Sequence, residues 1–362
     1  MKIIYDARWT RTDTHDGISR YGANLLEALA KQHPVTMLIC DKKQLKLLPD
    51  VPYQLVNNPQ SFLKELFIAK KINKLDADVV FSPLQIMGSW GRKYKLILTL
   101  QDLIYYRNPK PPTFLPAHIR FAWWLFYQAY WPQKLILAQA DYITTVSKTS
   151  KKLIRKTKLT KLPIGVIYNA PPVLKKPDKP QKIKKELVYM GSFMPYKNVE
   201  VILKAMPLLP DYKLLLPSRI SAARKTELQK FIKNKDQVIF YNGADDENYA
   251  KMLSTATALI SASKDEGFGL PLIEAMEVGT PVICTDMEIF HEVADGAALF
   301  FDPDSHKQLA ARVRQVEDKK CRDLLILNGH EQAKKFSWDN SAKELLKIMH
   351  KLTKDQEHKT SK

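Results

Sequence analysis

The chain has 362 residues, of which 45% are hydrophobic and 26% are charged, a composition that is typical of globular proteins and excludes a disordered chain. Its length favours two domains of about 150 to 200 residues each. The formal net charge of +19 predicts a surface that attracts polyanions, which leaves nucleic acid, an anionic membrane face and phosphorylated substrates as possible partners.

The three cysteines, Cys40, Cys284 and Cys321, are far apart and have no CxxC spacing, which argues against a disulfide framework and against a zinc site. A reducing, cytoplasmic environment is therefore expected. The first nine residues have a strand pattern unlike that of a signal peptide, and no run reaches about 18 apolar residues. We expect a protein that is soluble or only peripherally attached to the inner face of a membrane.

Short apolar runs in the first half of the chain predict buried strands, and the stretches between them predict helices. The predicted strands are 2–7, 35–40, 78–82, 95–100, 141–146 and 165–168. Helices are predicted from residue 18 to about 31 and over 62–75. This alternation predicts a doubly wound α/β domain over residues 1–171, with function at the carboxyl ends of the strands.

Two short stretches in this half are candidates for a site. Gly17, Ile18 and Arg20 stand where the loop after the first strand enters a helix, and glycine there permits close approach of the backbone to a ligand. Gln101 and Asp102 follow the strand that ends at residue 100. A simple strand-end turn is an equally good interpretation of that pair.

Residues 121–131, FAWWLFYQAYW, are apolar on nearly every helical face. Helices of this kind normally lie inside a protein, so a buried helix is the first interpretation. The alternative is an interfacial helix, because Trp and Tyr prefer the headgroup level of a membrane and the nearby Arg120 and Lys134 would meet anionic lipid.

A change of composition separates the two halves. Residues 172–185 are rich in Pro and Lys with few apolar side chains, which is typical of a linker. A second Rossmann-like domain is predicted over 186–337, with strands at 186–190, 212–216, 238–241, 258–262, 280–284 and 299–301. An amphipathic helix over 338–354 and a disordered basic tail over 355–362 follow.

The loop after strand 258–262 is rich in charge and glycine. It contains Glu266 and the run Gly267-Phe268-Gly269, and a helix is expected to begin near Leu270 because Pro271 suits a first helical turn. Amides at a helix N-terminus favour a phosphate or a sugar hydroxyl. Glu274 lies about one turn inside the helix, so both carboxylates are expected to point into one crevice.

Two further turns in the second half are candidates for binding. Lys197 is expected at the start of a helix through about Pro207, where an ammonium and free amides would hold a diphosphate. Gly243 and Ala244 follow the strand 238–241 and offer backbone groups to a ligand.

Glu266, the glycine loop, Pro271 and Glu274 resemble the E-x7-E signature of the retaining glycosyltransferases of family 4, also called group 1. The resemblance implies a GT-B fold, in which two Rossmann-like doubly wound domains face each other across a cleft. It also implies that the helix 338–354 packs back onto the first domain, which serves the acceptor.

The resemblance assigns roles to the second-half candidates. Glu266 and the amides of residues 267–270 would hold the transferred sugar, and Glu274 the ribose of the nucleotide. Lys197 would hold the diphosphate, and the turn at Gly243 and Ala244 would receive the base.

Two departures from the family pattern are visible. Gln101 replaces a usual His beside Asp102, which removes a titratable group, and Ser192 replaces a usual Arg. Arg219, at the end of the neighbouring strand, is our candidate for the missing guanidinium.

The predicted function is therefore that of a retaining hexosyltransferase with a nucleotide-diphosphate sugar as donor. The acceptor would be a saccharide or a polyprenyl-linked saccharide of a cell-surface polysaccharide or glycolipid. A sugar-nucleotide epimerase of the same fold is the first alternative. A basic nucleic-acid-binding protein is the second, favoured only by charge and without a recognition motif, so nucleic acid is not an expected partner.

No metal or other cofactor is expected. Asp302-Pro303-Asp304 has the letters of an Asp-x-Asp metal motif, but the central proline indicates a turn that enters the next helix. The resembled enzymes also generally work without a metal.

Overall fold

The computed structural model describes residues 1–111, 116–172, 174 and 182–360. The chain forms two compact units, and the first combines Met1–Asn169 with the segment that begins at Ser337. The second unit is Ala170–Phe336. Most of the predicted linker, namely 173 and 175–181, lies outside the described residues.

Unit 1 is a seven-stranded parallel sheet with the strand order β3-β2-β1-β4-β5-β6-β7. Its strands are β1 Ile3–Asp6, β2 Val35–Ile39, β3 Tyr53–Leu55, β4 Val79–Ser82, β5 Lys95–Thr99, β6 Tyr142–Thr145 and β7 Ile164–Val166. Its helices are α1 Gly17–Ala30, α2 Phe62–Glu65, α3 Ile68–Asn73, α4 Ile104–Arg107, α5 Ala117–Phe126, α6 Trp131–Leu137 and α7 Lys148–Lys156. The central strands are buried on both faces, which explains why they read as continuous apolar runs.

Unit 2 is a six-stranded parallel sheet with the order β10-β9-β8-β11-β12-β13. Its strands are β8 Glu186–Val188, β9 Lys213–Leu216, β10 Val238–Phe240, β11 Ala258–Ser261, β12 Val282–Thr285 and β13 Ala298–Phe301. Its helices are α8 Val199–Ala205, α9 Ala222–Gln229, α10 Asp246–Thr255, α11 Leu270–Val278, α12 Glu288–Ala294, α13 His306–Glu317 and α14 Lys319–Ala333. Two doubly wound Rossmann-like domains were predicted, and this fold class is confirmed.

The last helix, α15, runs from Trp338 to Thr360 and belongs to unit 1. The ring of Trp338 meets Tyr21 edge-on with the ring centroids 5.8 Å apart, and Ser341 Oγ donates a 2.7 Å hydrogen bond to the carbonyl of Tyr168. The helix extends to Thr360, into the predicted tail 355–362, whose last two residues lie outside the described residues; disorder of this tail stays a prediction. The tail has no Gly or Pro, and its Lys, Gln and Glu residues are good helix formers.

Two elements of unit 1 differ from the sequence prediction. The helix expected over 62–75 is broken into α2 and α3, and the carboxylate of Glu65, the last residue of α2, binds the guanidinium of Arg8. The edge strand β3 was not predicted. Its three residues, Tyr53, Gln54 and Leu55, are all exposed, unlike the buried strands of the sheet.

The interpretation of 121–131 as a buried helix is wrong. No residue of α5 is buried, and Phe121, Trp124, Leu125 and Trp131 are exposed. The inner side of α5 packs on Tyr105, which precedes it in the chain, and on Tyr127, which follows it, and the outer side has no protein cover among the described residues. In the part of the chain that the structure describes, we find no helix with the length and apolarity that a membrane crossing requires.

Candidate functional site

The strand order of unit 2 reverses between β8 and β11. These two strands are neighbours in the sheet although they are far apart in the chain, and β9 lies on one side of them and β12 on the other. In open parallel sheets ligands bind outside the carboxyl ends of the strands at such a reversal. The loops that leave β8 and β11 at this point contain Ser192, Lys197, Glu266 and the glycine loop among the predicted site residues.

Lys197 and Glu266 meet at this reversal. The ammonium of Lys197 donates to the carboxylate of Glu266, and the Lys264 amide donates a 2.8 Å hydrogen bond to the Tyr196 carbonyl, so side chains and backbone both join the two loops. The two side chains are only 16% and 17% exposed. The ion pair is therefore largely desolvated and still within reach of a ligand.

The position of Lys197 in the backbone differs from the prediction. It ends a 3-10 turn over Pro195–Lys197, and α8 begins only at Val199. Asn198 lies between this turn and α8 with a left-handed φ of 54°. Its side-chain amide donates a 2.7 Å hydrogen bond to the Pro303 carbonyl. The prediction that Lys197 begins a helix to Pro207 is wrong, since this anchored turn separates it from α8.

The glycine loop is a rigid entry into α11. Gly269 is the N-cap of the helix at φ 102°, a conformation that favours glycine, and a Cβ there would lie 2.9 Å from a ring carbon of Phe290. Phe268 is buried and meets Phe336 edge-on at 5.6 Å. The predicted helix start at Leu270 is confirmed, and the first amides of α11 follow Gly267 and its neighbours directly.

Glu274 is largely covered by protein. Its carboxylate accepts a 3.0 Å hydrogen bond from the Tyr249 hydroxyl of α10. Burial, and then repulsion from Glu274, raise the pKa of Tyr249 well above its usual value, so the hydroxyl stays a donor. The structure gives Glu274 a protein partner in α10, whereas the sequence placed it in an open crevice with Glu266. Tyr249 itself carried no signal in the sequence.

A second buried tyrosine positions the loop after β8. The Tyr189 hydroxyl donates a 2.5 Å hydrogen bond to the carbonyl of Ser192, and the Gly191 amide donates to Ser218 Oγ at 3.1 Å. Burial, followed by the charge of Glu266, raises the pKa of Tyr189 well above its usual value. Ser192 is exposed.

Arg219 lies over the turn that follows β10. A Cβ at Gly243 would come within 3.0 Å of the Arg219 side chain, so the absence of a side chain at Gly243 lets this arginine pack there. Arg219 is exposed, and within the described residues no carboxylate pairs with it. Its guanidinium is thus open to an anionic ligand.

The amides of the same turn have a protein partner. The amides of Gly243 and Ala244 both donate to the Pro217 carbonyl at the end of β9, each at 2.9 Å. Of the backbone groups that the sequence offered to a ligand here, a base could therefore meet the carbonyl oxygens but not these amides.

Arg224 is a second guanidinium near the loop after β8, and sequence reasoning missed it. Its Nε donates a 2.7 Å hydrogen bond to the Phe193 carbonyl, and its terminal nitrogens pair with Glu200 at 2.5 Å and Glu227 at 2.8 Å. Two carboxylates already neutralise it. Arg219 is therefore the better candidate for binding an anion.

The acceptor-side candidates lie at the start of α1 in unit 1. Asp16 caps the helix by accepting a 2.9 Å hydrogen bond from the Ser19 amide, and Gly17 is the first helical residue. No atom lies within 4 Å of where a Cβ of Gly17 would be, so the backbone there is open. Ile18 is exposed, and Arg20 is half-buried.

Gln101 and Asp102 follow β5, as predicted, and both have local partners. Gln101 Nε2 donates a 3.0 Å hydrogen bond to the Pro83 carbonyl. Asp102 accepts a 2.9 Å hydrogen bond from the Ile104 amide and so caps the turn into α4. For Asp102 this contact forms the strand-end turn that was the alternative interpretation of the sequence.

A buried charge network next to the end of β1 was not predicted. Arg8 binds Asp6 at 2.7 Å and Glu65 at 2.7 Å, and both ion pairs are almost completely excluded from solvent. Asn57 adds a 2.8 Å hydrogen bond to Glu65. Burial alone would lower the pKa of Arg8, but the two carboxylates raise it overall. The network fixes the loop that leads towards α1.

No group of three or more His, Cys, Asp or Glu residues that could hold a metal ion occurs in the described ranges. The second-half site instead offers one ammonium, one open guanidinium, one accessible carboxylate and the first amides of a helix. This set can bind a phosphorylated, hydroxyl-rich ligand.

Comparison with known proteins divides the chain in the same two parts. Residues 173–336 match the family model described as Glycosyl transferases group 1, and residues 15–171 match the model described as Glycosyltransferase Family 4. Together the two models span most of the chain.

Individual relatives agree with the models. The chain is 29% identical over 321 residues to the O-antigen chain mannosyltransferase RfbU of Salmonella typhimurium, covering 83% of this chain and 87% of that protein. It is 33% identical over 161 residues to O-antigen chain mannosyltransferase B of Escherichia coli, covering 42% of each. Sucrose-phosphate synthase of Thermosynechococcus elongatus has the same fold, with a TM-score of 0.74 at 19% identity over 97% of this chain and 98% of that chain.

Proposed function

Because the chain belongs to the group 1, family 4 glycosyltransferases, we propose that it transfers a hexose from a nucleotide-diphosphate sugar to a saccharide acceptor with retention of anomeric configuration. The observation that carries this proposal is the pairing of Lys197 with Glu266 at the strand reversal of unit 2. It brings a cation for the diphosphate next to a carboxylate for the sugar.

Lys197 and the amides of residues 267–270 would stabilise the charge that develops on the leaving diphosphate. Arg219, whose guanidinium is open, would add a second cation. Glu274, held by Tyr249, would bind the ribose hydroxyls. Gly243 and Ala244 would meet the base through their carbonyl oxygens, and Ser192 would line the diphosphate from the loop after β8.

In the proposed reaction the bond between the anomeric carbon and the diphosphate oxygen breaks, and the acceptor oxygen bonds to the same face of that carbon. The acceptor proton passes to the departing phosphate. In this reaction Glu266 orients the sugar and does not attack it, since the acceptor oxygen itself bonds to the anomeric carbon. Metal-independent transfer is part of the proposal, since the cations and amides named above would carry the charge.

The names of the relatives suggest which sugar is transferred and which acceptor receives it. RfbU and mannosyltransferase B are both O-antigen chain mannosyltransferases, so we take mannose as the sugar and a growing, lipid-linked cell-surface saccharide as the acceptor. Gly17, Ile18, Arg20, Gln101 and Asp102 would contact that acceptor. The enzyme would work in the cytoplasm, attached peripherally to the membrane that carries the acceptor.

The two alternative functions have less support. The matching models and the relatives named above are transferases, so no observation favours a sugar-nucleotide epimerase. Nucleic-acid binding has only the net charge in its favour.

A thermal-shift panel of UDP, GDP, ADP and dTDP sugars identifies the donor. Transfer is then measured as nucleotide-diphosphate release with and without an oligosaccharide acceptor. Release that depends on the acceptor, with a product of retained anomeric configuration by NMR, is the expected result. Conversion of the donor in the absence of acceptor would instead assign an epimerase.

A further inference from the structure

Unit 1 exposes large apolar side chains on two consecutive helices. Phe121, Trp124 and Leu125 of α5 and Trp131 and Leu135 of α6 are all exposed. Exposed apolar groups of this size and density mark an interaction site on a soluble domain.

These side chains have a fixed place. The inner side of α5 is attached by a chain of ring contacts, in which Trp123 lies 4.9 Å from Tyr105, Tyr127 lies 4.9 Å from Tyr106, and both Trp123 and Tyr105 contact Tyr127. These packed rings therefore hold α5 in place, with its opposite side exposed.

The basic helix α7 covers the same face of the sheet. Leu137 of α6 and Ile154 of α7 belong to one buried cluster, and the strands that flank these helices, β5, β6 and β7, are adjacent. Lys152, Arg155 and Lys156 of α7 are exposed. We call the exposed side chains of α5 and α6 named above, together with these three, the basic aromatic surface.

The charge of this region is strongly one-sided. Eleven Lys and Arg residues but a single acidic residue, Asp141, lie between residues 103 and 172. Asp141 is already paired with Arg92 at 2.7 Å and Lys95 at 3.6 Å. Burial and repulsion from Arg155 lower the pKa of Lys151, as expected where cations crowd.

We propose that the basic aromatic surface docks on a lipid bilayer with anionic headgroups. Aromatic rings prefer the headgroup level of a membrane, and lysines beside them attract anionic lipid phosphates. A nucleic acid would use the cations but not the exposed Phe121, Leu125 and Leu135, so the mixture favours a membrane. The proposal deepens the peripheral attachment proposed above and specifies its surface.

The test measures sedimentation of the full-length protein with vesicles of phosphatidylcholine alone or with about one third phosphatidylglycerol. Phe121→Ser with Leu125→Ser removes two outward side chains that are 64% and 57% exposed. The matched control is Leu324→Ser with Leu327→Ser on α14 of unit 2, which are 58% and 60% exposed. The first double variant should bind vesicles about tenfold more weakly, and the control should bind like the unaltered protein.

A charge variant tests the basic part separately. Lys152→Gln, Arg155→Gln and Lys156→Gln together should weaken binding to the anionic vesicles by roughly a hundredfold, at about fivefold per residue, with no effect on neutral vesicles. The matched control replaces Lys230, Lys233 and Lys235 of unit 2, which are also exposed, by Gln. Melting curves identify any variant that fails to fold. If one of the two sets of variants fails to fold, vesicle binding by the other set tests the proposal.

Three outcomes would overturn the proposal. They are equal binding to both kinds of vesicle, equal losses in the control variants, and self-association or binding of duplex DNA through this surface without vesicle binding. No sugar donor is present in these measurements, so their failure would leave the proposed transfer untouched. Conversely, vesicle binding would persist if the donor panel showed no nucleotide sugar to bind.

Discussion

The hydroxyl of Tyr249 donates a 3.0 Å hydrogen bond to the buried carboxylate of Glu274, joining α10 to α11. The sequence marks Glu274 as a binding residue, and the structure adds the side chain that holds it. A carboxylate fixed in this way has one orientation to offer a ligand, whereas an unsupported one would have several.

Tyr249→Phe should lower the free energy of unfolding by about 1–3 kcal/mol, because Glu274 keeps its burial and loses a donor. If Glu274 binds the ribose, the KM for the donor should rise severalfold with a smaller change in kcat. Urea unfolding and initial rates measure the two effects. Unchanged stability and an unchanged KM would show that the hydrogen bond is dispensable.

Lys197→Met should reduce kcat/KM by about a hundredfold or more, since it removes the cation proposed to stabilise the leaving diphosphate. The free energy of unfolding should fall by about 1–3 kcal/mol, because the largely desolvated Glu266 carboxylate loses its cation partner. The measurement is the initial rate with the donor that the panel identifies.

The matched control is Lys264→Met. Lys264 lies in the loop after β11 and pairs with Asp304, but both side chains are well exposed. It should retain full activity. Comparable losses in the two variants would mean that general electrostatics, and not contact with the diphosphate, explain the effect of Lys197.

Gly269→Ala should lower the free energy of unfolding by about 1–3 kcal/mol and weaken donor binding. A side chain is strained at φ 102°, and its Cβ would press on Phe290 at 2.9 Å. The resulting shift would move the amides that begin α11. Gly296→Ala serves as the control, because no atom lies within 4 Å of its added Cβ. The idea of a rigid loop would be wrong if both variants melt and bind alike.

The sequence predicted the parts of the fold that depend on local apolar runs. Strands such as β1 and β11 are fully or nearly fully buried, so periodicity and length identified them. The edge strand β3 was not predicted; it has only three residues, and all of them are exposed. For α5 the composition indicated burial, yet only packing against Tyr105 and Tyr127 decides which side of the helix is covered.

The same limit applies to the candidate site. The sequence identified Glu266, Lys197 and the glycine loop, because they belong to a motif or follow the ends of strands. Tyr189 and Tyr249 were not, since each reaches its partner only through tertiary packing. The sequence offered the backbone groups of Gly243 and Ala244 to a ligand, and only the structure shows that the Pro217 carbonyl of the adjacent strand end already accepts from both amides.

Stability should fall at alkaline pH partly through Tyr212. Burial, and then its 2.9 Å hydrogen bond to Glu317, raise the pKa of Tyr212 to about 12. An unfolded tyrosine has a pKa of about 10, so the folded state keeps the proton longer than the unfolded state does. The stabilisation is complete below about pH 10 and is lost as the pH rises towards 12.

Tyr212→Phe removes this titration, so its melting temperature should fall less steeply between about pH 9.5 and 11.5 than that of the unaltered protein. Tyr241→Phe, at an exposed tyrosine, is the control and should keep the original slope. Equal slopes for all three proteins would show that Tyr212 contributes nothing to the alkaline transition.

The buried network of unit 1 gives the largest expected effect on stability. Arg8 compensates two carboxylates, Asp6 and Glu65, whose ion pairs are almost completely shielded from water. Arg8→Met would leave both negative charges buried without their cation, which should cost about 3–5 kcal/mol. Glu65→Gln should cost less, because it leaves a compensated pair of Arg8 and Asp6.

The two variants should also differ in their response to acid. In Arg8→Met two negative charges are buried side by side without a cation, a repulsion that is relieved when acid neutralises one of them. Its free energy of unfolding should therefore recover as the pH falls from 8 to 5, while that of Glu65→Gln should not. Urea unfolding at the two pH values makes the comparison. A loss in Arg8→Met that is the same at both values would mean that packing, and not uncompensated charge, is what Arg8 supplies.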